Sequence, residues 1–116
     1  IQGGNVDNIY KLDLQKSYIA TAGQDRRAVI YTLDGKHFIR YNGSFLIYSV
    51  ALSPKGNYMA AAMDEENIIT IFDTRKHQKI ATAKGHLATL NRIVFVDEKR
   101  FVSCADENKI LIWELP

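Results

Sequence analysis

Apolar residues along this chain fall into short runs that glycine, proline and polar residues interrupt at close intervals. The runs are as long as single strands and rich in Ile, Val, Tyr, Phe and Thr, which favour the extended conformation. No part of the sequence carries a helical period of useful length. The pattern therefore predicts an all-β fold. The expected strands are Ile9–Leu14, Tyr18–Ala22, Ala28–Leu33, His37–Tyr41, Leu46–Leu52, Tyr58–Met63, Ile68–Asp73, Gln78–Ala83, Leu90–Val96, Arg100–Ala105 and Ile110–Leu115.

Turn-forming residues separate the runs. Asp34-Gly35 and Asn42-Gly43 are dipeptides typical of tight hairpins, and the segment 53–57 contains both a proline and a glycine. Two later runs, Ile68–Phe72 and Ile110–Trp113, are apolar at successive positions rather than at alternate ones. Both faces of these strands are therefore expected to be buried, as in the stacked blades of a propeller.

The chain also repeats itself. A glycine is followed 21 residues later by an aspartate in three places, and the three copies start 39 and 42 residues apart. A period near 40 residues with four short strands per unit is typical of propeller blades. The repeats are expected at about 4–42, 43–84 and 85–116. The marker residues are Gly4 and Asp25, Gly43 and Asp64, and Gly85 and Asp106.

The local motifs resemble those of the WD40 repeat family over essentially the whole chain. The third copy has the glycine-histidine opener, Gly85-His86, and ends in Trp113-Glu114. The first copy reads Ile19–Asp25 and ends at Tyr31, and the second reads Met59–Asp64 and ends in Phe72-Asp73. Asn5 and Ser44 stand where the family has histidine.

The resemblance implies a structural tetrad in the third copy, a buried hydrogen-bond chain made by His86, Ser103, Asp106 and Trp113. Counting back from Phe72 and Trp113 instead places Glu66 and Glu107 at the acidic position, so the register stays open in copies two and three. The same residue types could form a Ser-His-Asp catalytic triad. Because the repeat itself accounts for these residues, we expect no catalytic site.

Other candidate chemistry has a structural explanation in the repeat. His37 and His77 occupy equivalent positions in neighbouring copies without an apparent third ligand, so no metal site is expected. The paired carboxylates in 64–66 and 106–107 fall in turns, where polar residues are ordinary. Cys104 is the only cysteine, which excludes an intramolecular disulfide and fits a cytoplasmic location, although a periplasmic one stays open.

Composition narrows the class of partner. The net charge is +2 with both signs interspersed, so no concentrated basic patch predicts nucleic-acid binding. No apolar run is long enough to predict a membrane span, and no motif predicts a cofactor. Three repeats do not close a ring, since propellers use about four to eight blades. We therefore expect a partial propeller, a C-terminal piece of a larger one, completed by further blades or a second copy of the chain.

The resemblance implies a non-catalytic scaffold that binds a protein or peptide. In the family, partners dock mainly on the face formed by the turns after the second strands and the segments entering the first strands. The alternative is an accessory propeller of a bacterial enzyme system, such as periplasmic nitrate reductase. The residues expected on the partner-binding face are Arg26, Arg27, Phe45, Tyr48, Glu65, Glu66, Leu87, Asn91 and Glu107.

Overall fold

The strands form three antiparallel sheets, which confirms the all-β fold class. The computed structural model describes residues 9–43, 47, 49–65, 67–107 and 109–116, with the backbone alone at 63–65. Within these residues every regular element is a strand. The strands are β1 (Ile9–Gln15), β2 (Tyr18–Gly23), β3 (Arg27–Thr32), β4 (Phe38–Asn42), β5 (Val50–Leu52), β6 (Tyr58–Glu65), β7 (Ile68–Asp73), β8 (Gln78–Lys84), β9 (Leu90–Asp97), β10 (Arg100–Ala105) and β11 (Ile110–Glu114).

Strands that follow each other in sequence are neighbours in each sheet. The first sheet has the order β1-β2-β3-β4, the second β5-β6-β7-β8, and the third β9-β10-β11. The sheets stack in chain order, because β5 contacts both β1 and β9. This is the arrangement of consecutive propeller blades, with β1, β5 and β9 as the innermost strands.

Two apolar cores lie between the sheets. The first joins Ala20, Ala22 and Ile30 to Met59 and Ala61, and the second joins other residues of the second sheet to the third. Alternate residues of β6 face opposite cores, so the strand is apolar from Tyr58 to Ala62. The residues of the second core in the second sheet are Ala51, Tyr58, Ala60, Ala62, Ile69, Ile71 and Ala83.

The prediction that third strands are buried on both faces is confirmed for β7 and wrong for β11. Five of the six residues of β7 are buried. In β11, Ile110 is 71% exposed and Ile112 is 74% exposed. The reason is that no other described sheet covers this face of the third sheet.

Two further details differ from the sequence prediction. β5 begins at Val50 instead of Leu46, although Leu46 itself lies outside the described residues. The expected hairpin at Asn42-Gly43 is absent: β4 ends at Asn42, and the chain then crosses to the second sheet. The Gly43 N–H instead donates to the carbonyl of Arg26 across the first sheet (2.8 Å).

Candidate functional site

A buried polar network lies in the third sheet, between its strands and the segment that precedes β9. The indole Nε1 of Trp113 is 2.7 Å from Ser103 Oγ, and that oxygen is 2.6 Å from His86 Nε2. On the other side of the ring, His86 Nδ1 is 2.8 Å from Glu107 Oε1. We call His86, Ser103, Glu107 and Trp113 the tetrad.

The groups at the two ends determine the direction of the hydrogen bonds. Trp113 Nε1 can only donate, so Ser103 Oγ accepts from it, and the Glu107 carboxylate can only accept, so His86 Nδ1 donates to it. With the ring hydrogen on Nδ1, His86 Nε2 accepts from the Ser103 hydroxyl. Every polar atom of this chain of contacts is thereby satisfied, as burial of polar groups requires.

The acid of the tetrad is Glu107, and the expected Asp106 is not part of it. Ala105 is buried at the end of β10, whereas Asp106 is exposed and accepts from Asn91 Nδ2 (2.7 Å). Glu107, one residue further along the turn, reaches back to the His86 ring. The turn geometry after β10 therefore selects the second acid of the pair.

Glu107 also holds the loop that carries His86. Its Oε1 accepts from the backbone N–H of Leu87 (2.9 Å), and Lys109 Nζ lies 3.6 Å from its Oε2. Burial acts to raise the pKa of Glu107, but the Leu87 N–H, the His86 ring and the Lys109 charge outweigh it and lower the pKa below its ordinary value. Glu107 is thus held as a carboxylate.

Neighbouring contacts fix the same loop. Lys109 Nζ donates to the carbonyl of Gly85 (2.6 Å), and Asn67 Nδ2 of the second sheet donates to the carbonyl of His86 (3.1 Å). A side chain at Gly85 would approach the Trp113 ring to 3.0 Å, so the indole needs a glycine here. The tetrad therefore connects the second sheet to the third.

The Ser-His-acid geometry does not create a nucleophile. Ser103 is 1% exposed and His86 is 3% exposed, so a substrate cannot reach the hydroxyl. The Trp113 N–H also occupies the oxygen that would have to attack. Nucleophilic catalysis needs an accessible hydroxyl and an adjoining oxyanion site. The arrangement stabilises the blade and has no means of reacting.

Those of the expected partner-face residues that the structure describes lie at one edge of the stack. We call the edge at which β2, β6 and β10 end the upper edge, and the edge at which they begin the lower edge. Arg26 is exposed in the turn after β2 with a left-handed φ of 62°, and the adjacent Arg27 N–H donates to Asp25 (3.1 Å). Leu87 is 84% exposed, and Asn91 is exposed at the start of β9.

The remaining expected residues of that face divide into two groups. Glu107 belongs to the tetrad as well, and Glu65 ends β6. Phe45, Tyr48 and Glu66 lie outside the described residues. A cleft of about 470 Å³ adjoins Asn91 on this edge, lined by Tyr10, Lys11, Thr89, Leu90 and Asn91.

Sequence reasoning missed two acids that join the sheets. Asp13 Oδ2 on β1 accepts from the backbone N–H of Leu52 on β5 (2.8 Å). Glu98 in the β9–β10 turn accepts from Ser53 Oγ (2.9 Å) and from the backbone N–H of Lys55. The available signal for Asp13 was an acidic residue between two leucines, Leu12 and Leu14, in an innermost strand. A turn acid such as Glu98 gives no signal.

The two candidate histidines do not form a metal site. His77 Nδ1 lies 3.3 Å from the Tyr41 hydroxyl, and the His37 N–H donates to Thr32 Oγ1 in its own hairpin. Among the described residues no three metal-ligating side chains lie together. In the same part of the chain there is also no helix that could cross a membrane.

Three stacked antiparallel sheets with a tetrad in one of them define blades of a WD40-type β-propeller. No family model matches the sequence. Pre-mRNA-processing factor 17 from Homo sapiens is 32% identical over 99 residues, which cover 81% of this chain and 17% of that protein. DDB1- and CUL4-associated factor 10 from Xenopus tropicalis is 27% identical over 70 residues, or 60% of this chain and 15% of that protein.

These relatives support a WD40 repeat assignment at low sequence identity. The chain spans less than a fifth of the length of either relative. The Xenopus tropicalis relative is, by its name, a factor associated with DDB1 and CUL4, and neither relative supports an accessory propeller of a bacterial enzyme system.

Proposed function

We propose that this chain forms blades of a WD40-type propeller that acts as a non-catalytic scaffold and binds a partner protein at its upper edge. The observation that carries the proposal is Leu87, a large apolar side chain that is 84% exposed beside a fixed polar turn. Its backbone is held by Glu107, so the side chain is presented from a rigid loop. An ordered apolar side chain within a polar rim can pack into an apolar pocket of a partner.

The surroundings of Leu87 suit a protein surface. Asn91 and Asp106 form a hydrogen-bonded pair beside the cleft, whose lining includes the aromatic ring of Tyr10. Arg26 adds an exposed guanidinium at the same edge of the first sheet. Aromatic residues and arginine are enriched in protein interfaces, where a polar rim surrounds the buried centre.

Two further surfaces are proposed to pack against other blades, either of the same ring or of a second copy of the chain. Leu12 and Leu14 are 67% and 52% exposed on the first sheet, and Ile110 and Ile112 are exposed on the third. These apolar faces lie at the two ends of the stack. Contiguous apolar surface of this kind is usually covered.

The test of the partner face is affinity capture with the full-length protein and quantitative mass spectrometry. Leu87→Asp is expected to lose at least about tenfold of a captured protein, because an interface anchor contributes about 2 kcal/mol or more. Leu33→Asp is the matched control, since Leu33 is 56% exposed at the lower edge. Equal capture by both variants, with unchanged thermal unfolding, would contradict the proposed face.

A further inference from the structure

A second cavity, of about 450 Å³, opens at the lower edge between the first and second sheets. The β1–β2 turn contributes Lys16 to its lining, and β4 contributes Ile39 and Tyr41. The opposite wall comes from the β5–β6 turn at 55–57 and the β7–β8 turn at 74–77. The cavity is therefore separate from the partner face proposed at the upper edge.

The charged groups that line this cavity are basic. They are Lys16, Lys55 and Arg75, with the His77 ring beside them, and no described acid belongs to the lining. Two acidic residues at the same edge already accept hydrogen bonds from other groups. Asp73 accepts from the backbone and side chain of Arg75 (2.9 and 3.2 Å). Glu98 accepts from Ser53 and from the Lys55 N–H.

The two lysines supply charge that nothing described neutralises. Asp73 compensates the Arg75 guanidinium, with which it forms an ion pair at 3.2 Å. Neither Lys16 nor Lys55 has its ammonium in an ion pair with a described carboxylate. Cations that line one cavity and form no described ion pair raise the local concentration of anions.

The rest of the lining is mixed, with apolar surface from Tyr18, Ile30 and Ile39 and polar groups of Ser17, Asn57 and Thr74. The Tyr18 ring lies directly over Gly56, where an added Cβ would come within 2.7 Å of it. Ile39 is 38% exposed, and the buried Tyr41 hydroxyl contacts His77 (3.3 Å). Thr74 Oγ1 donates to the Gly56 carbonyl (2.6 Å) and so holds the two turns together. An anion with an apolar stem fits such a site better than a free ion does.

We propose that this cavity binds an acidic peptide segment of a partner protein. Its carboxylate or phosphate group would lie between Lys16 and Lys55, and its aliphatic part would pack on Tyr18 and Ile39. A peptide is favoured over a nucleic acid because the cavity is bounded and holds two uncompensated lysines, whereas phosphate backbones need an extended basic surface.

The experiment measures fluorescence anisotropy of a labelled peptide of aspartate and leucine with the full chain. A phosphoserine peptide and an asparagine peptide of the same length are the comparisons. The doubly substituted Lys16→Gly, Lys55→Gln variant is expected to weaken binding of both acidic peptides about tenfold. Lys16→Gly also suits the left-handed φ of 55° at that position, so loss of fold is avoided.

Lys36→Gln is the matched control, because Lys36 lies in the β3–β4 turn outside the lining. It is expected to leave the affinity unchanged, as is Leu87→Asp at the upper edge, which separates this site from the partner face. Amide NMR shifts should locate the acidic peptides at Ser17, Gly56 and Asn57.

Four results would overturn the proposal. They are equal binding of the asparagine peptide, an unchanged affinity of the double variant, tighter binding of single-stranded RNA at the same residues, and displacement of the peptides by an equal concentration of inorganic phosphate.

Discussion

His86 is the residue on which the polar contacts of the third sheet converge. Its ring joins Ser103 to Glu107, and its carbonyl accepts from Asn67 of the second sheet. Loss of the His86 ring is expected to lower the free energy of unfolding by more than one hydrogen bond contributes, because several buried partners are left unsatisfied.

Replacing His86 by alanine is therefore expected to lower the free energy of unfolding by a few kcal/mol. Trp113→Phe removes the indole donor and part of the ring that packs against Gly85 and Phe101, so it should cost about 1 kcal/mol for the hydrogen bond and about 1 kcal/mol for lost packing. Urea denaturation of both variants measures the difference. A His86→Ala protein as stable as the wild type would show that the network does not stabilise the sheet.

Glu107 makes stability depend on pH at the acid end. Its pKa is lowered in the folded state, while the unfolded chain takes up a proton near the ordinary value of 4.5. The stabilisation is therefore complete above that value and lost as the pH falls through the lower folded pKa. Glu107→Gln should reduce this loss, as measured by thermal unfolding between neutral pH and acid.

Asp73 and Asp97 have lowered pKa values too, through side-chain hydrogen bonds from Arg75 and Arg100 respectively. Their contributions persist in the variant, so the difference between the two pH curves isolates Glu107. A wild-type curve and a Glu107→Gln curve of the same shape would contradict the role assigned to the carboxylate.

For individual residues, the sequence predicted which side chains form the network better than it predicted their hydrogen-bond partners. His86, Ser103 and Trp113 could be found from the repeat, but the choice between Asp106 and Glu107 depended on the path of a turn. Lys16 could not be found at all. A turn between the first two strands was expected, but Lys16 occupies a left-handed position where glycine or asparagine is the usual signal, and no residue pattern indicated the cavity.

Strand β6 lies between two cores, and its small side chains permit the close approach of both neighbouring sheets. Ala60 and Ala61 are fully buried on opposite faces of the strand. Larger residues there would separate the sheets, because protein interiors have little spare volume.

Ala60→Leu is expected to cost about 1–3 kcal/mol through overpacking between the second and third sheets. Thr82→Leu on β8 is the control, since Thr82 is exposed, and should change stability by about 0.5 kcal/mol or less. Chemical denaturation distinguishes them. Similar small effects at both positions would indicate an interface looser than the one described.

Strand positions were predictable because the turn residues and apolar runs act locally. Asp34-Gly35 forms its hairpin as expected, with Gly35 at a φ of 76°. Asn42-Gly43 does not, because the crossing to the next sheet is decided by packing between blades. Packing between sheets also explains the wrong prediction for β11. The apolar pattern of this strand does not show whether a neighbouring sheet covers its second face.

The stack as a whole exposes apolar residues at both ends. Ile112→Lys should therefore lower self-association of the chain, measured by size-exclusion chromatography with light scattering. Its effect on stability should stay within about 0.5 kcal/mol, because Ile112 is 74% exposed. Leu33→Lys at the lower edge is the control and should leave the oligomeric state unchanged. The same apparent mass for all three proteins would contradict the proposed packing of these faces.

The acids Asp13, Glu98 and Glu107 share one property across the three sheets. Each accepts from a main-chain N–H of another segment, at Leu52, Lys55 and Leu87 respectively. Because almost every amino acid carries that N–H, the residues at Leu52, Lys55 and Leu87 can change without loss of these three hydrogen bonds. We therefore expect few substitutions to be tolerated at the three acids and many at the residues whose N–H groups they accept. The surface residues of such a fold can therefore change while the contacts between its segments are kept.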